Sequence, residues 1–166
     1  MAEGFSPAAL STQKAARYAE LGEEIAAVLE GEPNLTARMV TVACMLDQAF
    51  ERFSWTGFYV VDPDRPRELV VGPYQGSLGC LRIAFGRGVC GAAAETQATQ
   101  IVADVHAYPG HIACDPRSRS EIVVPVFDRS DVLIAVLDVD SEAVGGFDEE
   151  DRVGLEAIVR GVFGGS

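Results

Sequence analysis

The sequence predicts an α+β fold in which helices pack on a central antiparallel sheet. Three observations carry that expectation. Helical periodicity runs from Ser6 to Phe50 and, apart from a short stretch at Ala92–Thr96, returns only after Asp148, so helix and strand are largely segregated along the chain. Strand-like runs pair up as two hairpins, one across the turn 62–67 and one across Arg129-Ser130. Between the hairpins lies an irregular, Gly-rich middle rather than the regular strand–helix alternation of a parallel sheet.

Each element has a local reason. Ser6-Pro7 opens the first helix, with serine as cap and proline at the first helical position. Tyr18, Leu21, Ile25, Val28 and Leu29 share one face of it, and Gly31 marks its end. After Glu32-Pro33-Asn34, a second helix carries Leu35, Met39, Val42, Leu46, Ala49 and Phe50 at helical spacing. Residues 55–62, WTGFYVVD, alternate as a strand, and Glu68–Pro73 returns as its partner. A short strand is expected over Leu81–Phe85, a short helix over Ala92–Thr96 and another strand over Gln100–Ala103. The stretch from Asp104 to Ser120 has no period, and a loop of that length in a compact fold is usually functional. Glu121–Asp128 and Asp131–Asp140 form the second hairpin. Asp148 caps the last helix, whose buried face is Leu155, Ile158, Val159 and Val162.

A chain of 166 residues with 48% apolar residues is long enough for one domain with a real core. No apolar run approaches a membrane span, and MAEGFSPAAL has no secretory h-region, so a cytoplasmic protein is expected. The 25 acids outweigh 13 bases, a balance that repels phosphate backbones and argues against nucleic acid as a partner. In a reducing compartment Cys44, Cys80, Cys90 and Cys114 are not expected to be a permanent disulfide framework.

The chemistry-bearing positions are few. GRGVCG at 86–91 fits a dinucleotide-loop pattern but lacks the βαβ setting, so we discount it. Cys90 stands where that loop enters a helix, where backbone N–H groups favour a thiolate. Cys90, His106, His111 and Cys114 offer only a loose His pair, with four residues between, and no C-x-x-C, so no metal is expected. Cys44, off the stripe of its helix, reads as a small packed hydrophobe. Strand parity puts Trp55, Gly57 and Tyr59 on one side, with Phe58 and Val60 on the other; Trp55 and Tyr59 then wall a pocket or pack in the core. Asp138 and Asp140 likewise share a face, suited to general acid work or to holding an ammonium group. Cys114 is the sharpest feature. It lies in a polar loop with Arg117 and Arg119 close by, and positive charge raises the thiolate fraction. Three thiols outside regular structure point to disulfide exchange more than to acyl transfer.

WTGFY (55–59), GPYQG (72–76), FGRGVCG (85–91), DVHAYPGHIACD (104–115), SRSEIVVP (118–125) and LDVDS (137–141) together resemble the free methionine-(R)-sulfoxide reductases, which are stand-alone GAF domains. The likeness extends from about Leu35 onward and includes the spacing of Cys80, Cys90 and Cys114. It implies a single GAF-like domain over residues 1–166. Because GAF domains often pair, the N-terminal helix region 1–33 is the candidate dimer contact, though its sequence carries no dimer seam. It also implies reduction of free L-methionine-(R)-sulfoxide with Cys114 as nucleophile, through a sulfenic acid and then a disulfide. Cys80 and Cys90 match the family's recycling cysteines, and which of them acts first stays open. Thioredoxin is the implied reductant, fed by NADPH through its own reductase, and no bound cofactor is implied. Within that chemistry, Glu121, Asp138 and Asp140 are the expected proton donors and ammonium ligands, and Trp55 and Tyr59 enclose the methyl group. Backbone N–H groups around Ile112, Ala113 and Asp115 are the expected carboxylate site. Two competing readings are a ligand-binding GAF sensor without turnover and a cysteine hydrolase with His111 as base to Cys114.

Overall fold

Period-two patterning in the long strands gives the sheet two unlike faces, and both are covered. The computed structural model describes residues 7–112 and 114–165, with side chains from residue 13 onward, so the expected Ser6 cap lies outside the described residues. The elements run α1 (Pro7–Val28), α2 (Leu35–Ala49), β1 (Trp55–Asp62), β2 (Arg65–Gln75), β3 (Arg82–Ala84), α3 (Gly88–Thr96), β4 (Gln100–Val102), β5 (Ser120–Phe127), β6 (Leu133–Ser141) and α4 (Glu149–Phe163). The six strands form one antiparallel sheet in the order β3-β2-β1-β6-β5-β4. The two expected hairpins, β1–β2 and β5–β6, are joined through β1 and β6, with Trp55 opposite Asp140, Gly57 opposite Asp138 and Tyr59 opposite Val136.

One face holds the main core. Phe58, Ile122, Val124, Leu137 and Val139 point into it and meet Leu21 and Ile25 of α1, Met39 and Leu46 of α2, and Leu155 of α4. Each such side chain contributes about 1.5–3 kcal/mol by leaving water. The opposite face carries Trp55, Tyr59, Val123 and Val136 under α3 and the loops, with Cys90, Ala93 and Ala94 packed down on them. Three helices therefore back the sheet, and its front is left to one short helix and irregular chain.

The cap at Asp148 forms as expected. Its carboxylate accepts from the amides of Glu150 (3.0 Å) and Asp151 (3.4 Å), and the Asp151 carboxylate accepts from the Asp148 amide at 2.9 Å. Asp151 is fully buried and also ties α4 to the rest: it accepts from Tyr18 Oη (2.6 Å), Lys14 Nζ (2.8 Å) and the Arg52 guanidinium. Gly154 allows the same approach, since a Cβ there would lie 2.7 Å from Tyr18 Cβ.

Several boundaries differ from expectation. Val28 is 62% exposed, because α1 ends there and Leu29 takes the inward position. Leu35, at the first turn of α2, is likewise exposed. β2 is longer at both ends than 68–73, since β1 supplies partners from Arg65 to Gln75. Among the described residues of 104–119 the regular structure is a 3-10 turn at Val105–Ala107, capped by Asp104 accepting from the His106 amide, and Ser120 already begins β5. Among the described residues no helix is long and apolar enough to cross a membrane.

Asp151→Ala leaves two cations and a buried tyrosine hydroxyl without their acceptor, so it should lower unfolding stability by about 3 kcal/mol. Urea titration followed by tryptophan fluorescence measures it; a loss within experimental error of zero would show that water replaces Asp151 at no cost.

Candidate active site

Antiparallel pairing carries side chains from distant parts of the sequence into rows across the front of the sheet. Val102, Glu121, Asp140 and Trp55 lie in one row from β4 to β1. Val123, Asp138, Gly57 and Tyr74 lie in the next, from β5 to β2. Glu121 thus stands opposite Asp140, with Asp138 two residues along β6. Gly57 lets β2 close in on β1 in this row, since any Cβ there would collide with the Tyr74 backbone, 2.8 Å from its Cα.

Over these rows lies a narrow pocket, about 500 Å³ with its open mouth included. Trp55 and Tyr59 form one wall, the three carboxyls and Cys90 the base, and Ile112 and Cys114 the loop side. Trp55 is both a core residue and a wall, since its ring stacks on Tyr59 (5.7 Å between centroids) and Tyr74 (5.0 Å). Its Nε1 donates to the Ser77 carbonyl at 2.9 Å. Gly79 lets the loop lie on this wall, as a Cβ there would be 3.0 Å from both the Trp55 ring and the Tyr59 hydroxyl.

Cys80 and Cys114 are joined as a disulfide, with Cα atoms 5.5 Å apart, while Cys44 and Cys90 are free thiols. Cys44 keeps part of its surface in solvent rather than being fully packed. Cys90 is buried, with its Sγ 3.9 Å from Glu121 Oε1. The expectation of a Cys90 thiolate at the start of α3 is overturned. Burial raises its pKa first, and Asp138, Glu121 and Asp140 raise it further, so the neutral thiol is the stable form.

The carboxyls respond to the same forces. Burial, then the charge of Asp140, lifts Glu121 from an ordinary 4.5 to about 8. Asp138 is raised by burial and then by Glu121, and Asp140, nearer the mouth, is raised by burial and then by Asp138. Asp138 Oδ1 has no hydrogen-bond partner among the described residues. At neutral pH the cluster keeps protons that separate carboxyls would release.

His111 Nε2 lies 3.3 Å from Glu121 Oε2, and burial lowers its pKa. Its ring is thus engaged with Glu121, and Cys114, bonded to Cys80, has no free thiol for a hydrolase dyad in this form. His106 is exposed and sits in the 3-10 turn. The arginines are not placed as thiol activators. Arg117 donates to Asp115 at 2.9 and 3.1 Å and holds that carboxyl well below its usual range, and Arg119 is exposed. Asp115 also accepts from Ser77 Oγ at 2.7 Å, which pins the loop carrying Cys114 to the loop before Cys80. Sequence reading missed Ser77 and Gly79, since neither has a local pattern to mark it. The Cys114 amide donates to the Ile112 carbonyl at 3.2 Å, and Ala113 lies outside the described residues.

A model of the GAF domain family matches residues 19–162. The free methionine-R-sulfoxide reductase of Escherichia coli (strain K12) is 41% identical over 142 residues, which cover 86% of this chain and 84% of that protein. GAF domain-containing protein A of Dictyostelium discoideum is 44% identical, over 89% of this chain and 90% of its own. Among solved structures, the free methionine-R-sulfoxide reductase from Neisseria meningitidis, in complex with its substrate, superposes with a TM-score of 0.85 at 46% identity, covering 90% of this chain and 87% of the other. The antiparallel sheet, the pocket on its front and these relatives agree: the chain belongs to the free methionine-R-sulfoxide reductases, oxidoreductases built on the GAF fold.

Proposed function

We propose that this protein reduces free L-methionine-(R)-sulfoxide to methionine, with Cys114 as nucleophile and Cys80 as the thiol that closes the cycle. The observation that carries the reading is the Cys80–Cys114 bridge in the wall of a pocket based on three carboxyls. The Neisseria relative, solved with its substrate, supports it. The Cys114 sulfur attacks the sulfoxide sulfur, the oxygen passes to Cys114 as a sulfenic acid, and methionine leaves reduced. The Cys80 thiol displaces that oxygen as water and forms the disulfide. An external dithiol protein of the thioredoxin class, itself reduced at the expense of NADPH, returns both thiols. Leu78 and Leu81, 77% and 70% exposed, flank Cys80 and give such a protein an apolar place to dock. A reducing compartment such as the cytoplasm fits that cycle.

The carboxyls divide the remaining work. Glu121 holds its proton at neutral pH and donates it to the sulfoxide oxygen. Asp138, through its unpartnered Oδ1, and Asp140 receive the substrate ammonium. Trp55 and Tyr59 enclose the S-methyl group and so select the epimer. The substrate carboxylate falls to the amides of Ile112, Ala113 and Asp115. Trp55, Tyr59 and the acids would serve a sensor equally well, but a sensor has no use for the bridged thiols.

NADPH consumption with thioredoxin and its reductase should appear with the free R epimer and not the S epimer; no consumption with R leaves the sensor reading in place. Cys114→Ser should abolish turnover. Cys80→Ser should still release about one methionine per enzyme before it stalls, read by quenched-flow amino-acid analysis. Full steady-state rate in that variant would hand the resolving role to Cys90.

Because the Glu121 donor is protonated below its pKa, kcat should fall as pH rises through about 8. Glu121→Gln should lose about 10²–10⁴-fold in kcat along with that alkaline limb. The limb surviving in the variant would assign it to another group.

The same shift acts on stability. Folding raises the Glu121 pKa from 4.5 to about 8, so the unfolded chain releases a proton that the folded one keeps, and stability falls as pH rises between those values. Glu121→Gln should therefore melt above wild type at pH 8, with the gap narrowing at pH 5. Equal gaps at both pH values would show that the carboxyl does not titrate in this window.

A further inference from the structure

Cys90 has no part in the cycle just described, yet its thiol is buried against the acidic base of the pocket. Cys90 Sγ and carboxylate oxygens of Glu121 and Asp138 all lie within 4.8 Å of one another. Each of the three residues is more than nine-tenths buried. They come from α3, β5 and β6, so sheet pairing and helix packing fix their relative positions. Asp138 Oδ1 is unpartnered among the described residues, and His111 Nε2 stands 3.3 Å from the other oxygen of Glu121. That makes three donors, one sulfur and two carboxylate oxygens, around one space, with His111 supporting Glu121 from its other oxygen.

We propose that this pocket is also a binding site for a thiophilic divalent cation such as Zn²⁺, ligated by Cys90, Glu121 and Asp138 with a fourth position left to solvent, and that the cation and the sulfoxide exclude one another. Tetrahedral zinc at bond lengths of about 2.0–2.3 Å holds its donors roughly 3.3–3.8 Å apart. The donors here lie within 4.8 Å of one another, so binding draws them closer together. A thiolate in the set selects against Mg²⁺ and Ca²⁺, which take oxygen ligands. On entry the thiol proton and any carboxyl proton pass to solvent, sulfur and oxygen bonds to the metal form, and nothing is oxidised or reduced. The bound cation occupies the group assigned as proton donor and the oxygen assigned to the ammonium, so it acts as an inhibitor. The mutual exclusion rests on the sulfoxide reading of this pocket; the cation site itself does not.

The disulfide form of the whole protein supplies the test, because Cys80 and Cys114 are then unable to ligate as thiolates and Cys44 and Cys90 are the remaining thiols. Titration with Cd²⁺ should produce the ultraviolet sulfur-to-cadmium charge-transfer band, saturating at one equivalent, and Zn²⁺ should displace it. Cys44→Ser should leave the band intact. Cys90→Ser and Asp138→Asn, each first checked for a cooperative thermal unfolding transition, should weaken binding by more than about 100-fold, beyond the loss of an outer partner. If either fails to fold, the other is read. No band in the wild-type protein, a band that survives Cys90→Ser, or a band lost in Cys44→Ser overturns the proposal. Excess free R sulfoxide should erase the band. A Cys90-dependent band that the sulfoxide leaves untouched upholds the cation site and overturns the placement of the sulfoxide in this pocket.

Discussion

The pairing of β1 with β6 is the constraint on which the rest of the molecule depends. It joins two hairpins into one sheet and sets the register that brings Trp55 against Asp140 and Gly57 against Asp138. Because side chains alternate, the same register that sends Phe58, Leu137 and Val139 into the main core turns an aromatic wall and two aspartates to the front. A slip of one residue would exchange the two sets and destroy core and pocket together. The glycine at 57 belongs to this constraint, since it is the place in the row where β2 crowds in.

Burying three carboxyls side by side works against folding, and the structure shows how it is tolerated. Protons stay on the cluster, at the cost of pKa values far above those of exposed acids. The larger apolar core lies on the other face, where α1, α2 and α4 cover the sheet and Asp151 ties α1, α4 and Arg52 together. That division lets the front be shaped for chemistry, with a single short helix and two loops that meet through Ser77 and Asp115. A cluster that resists ionising keeps protons at neutral pH, and it leaves Asp138 Oδ1 without a partner among the described residues.

Much of the site was legible locally. Parity along WTGFY and LDVDS placed Trp55, Tyr59, Asp138 and Asp140 on one side each, because a period of two is a property of the strand alone. The polar setting of Cys114 and the caps of the last helix were equally local. The behaviour of Cys90 was not. A position at the start of a helix suggests a thiolate, but the neighbours that reverse the effect come from β5 and β6, and only the fold brings them within reach. The same holds for Arg117, whose charge reads as a thiol activator along the chain and is instead taken up by Asp115.

By itself, then, the sequence determined the α+β class, the two hairpins, the faces of the strands and the residue types that bear chemistry, all of which follow from short-range periodicity and composition. Tertiary structure alone decided which hairpin edges pair, which thiols meet as Cys80 and Cys114, and which acids crowd closely enough to keep their protons. Those outcomes depend on distances between segments far apart in the chain, and desolvation and Coulomb repulsion act on those distances rather than on order in the sequence.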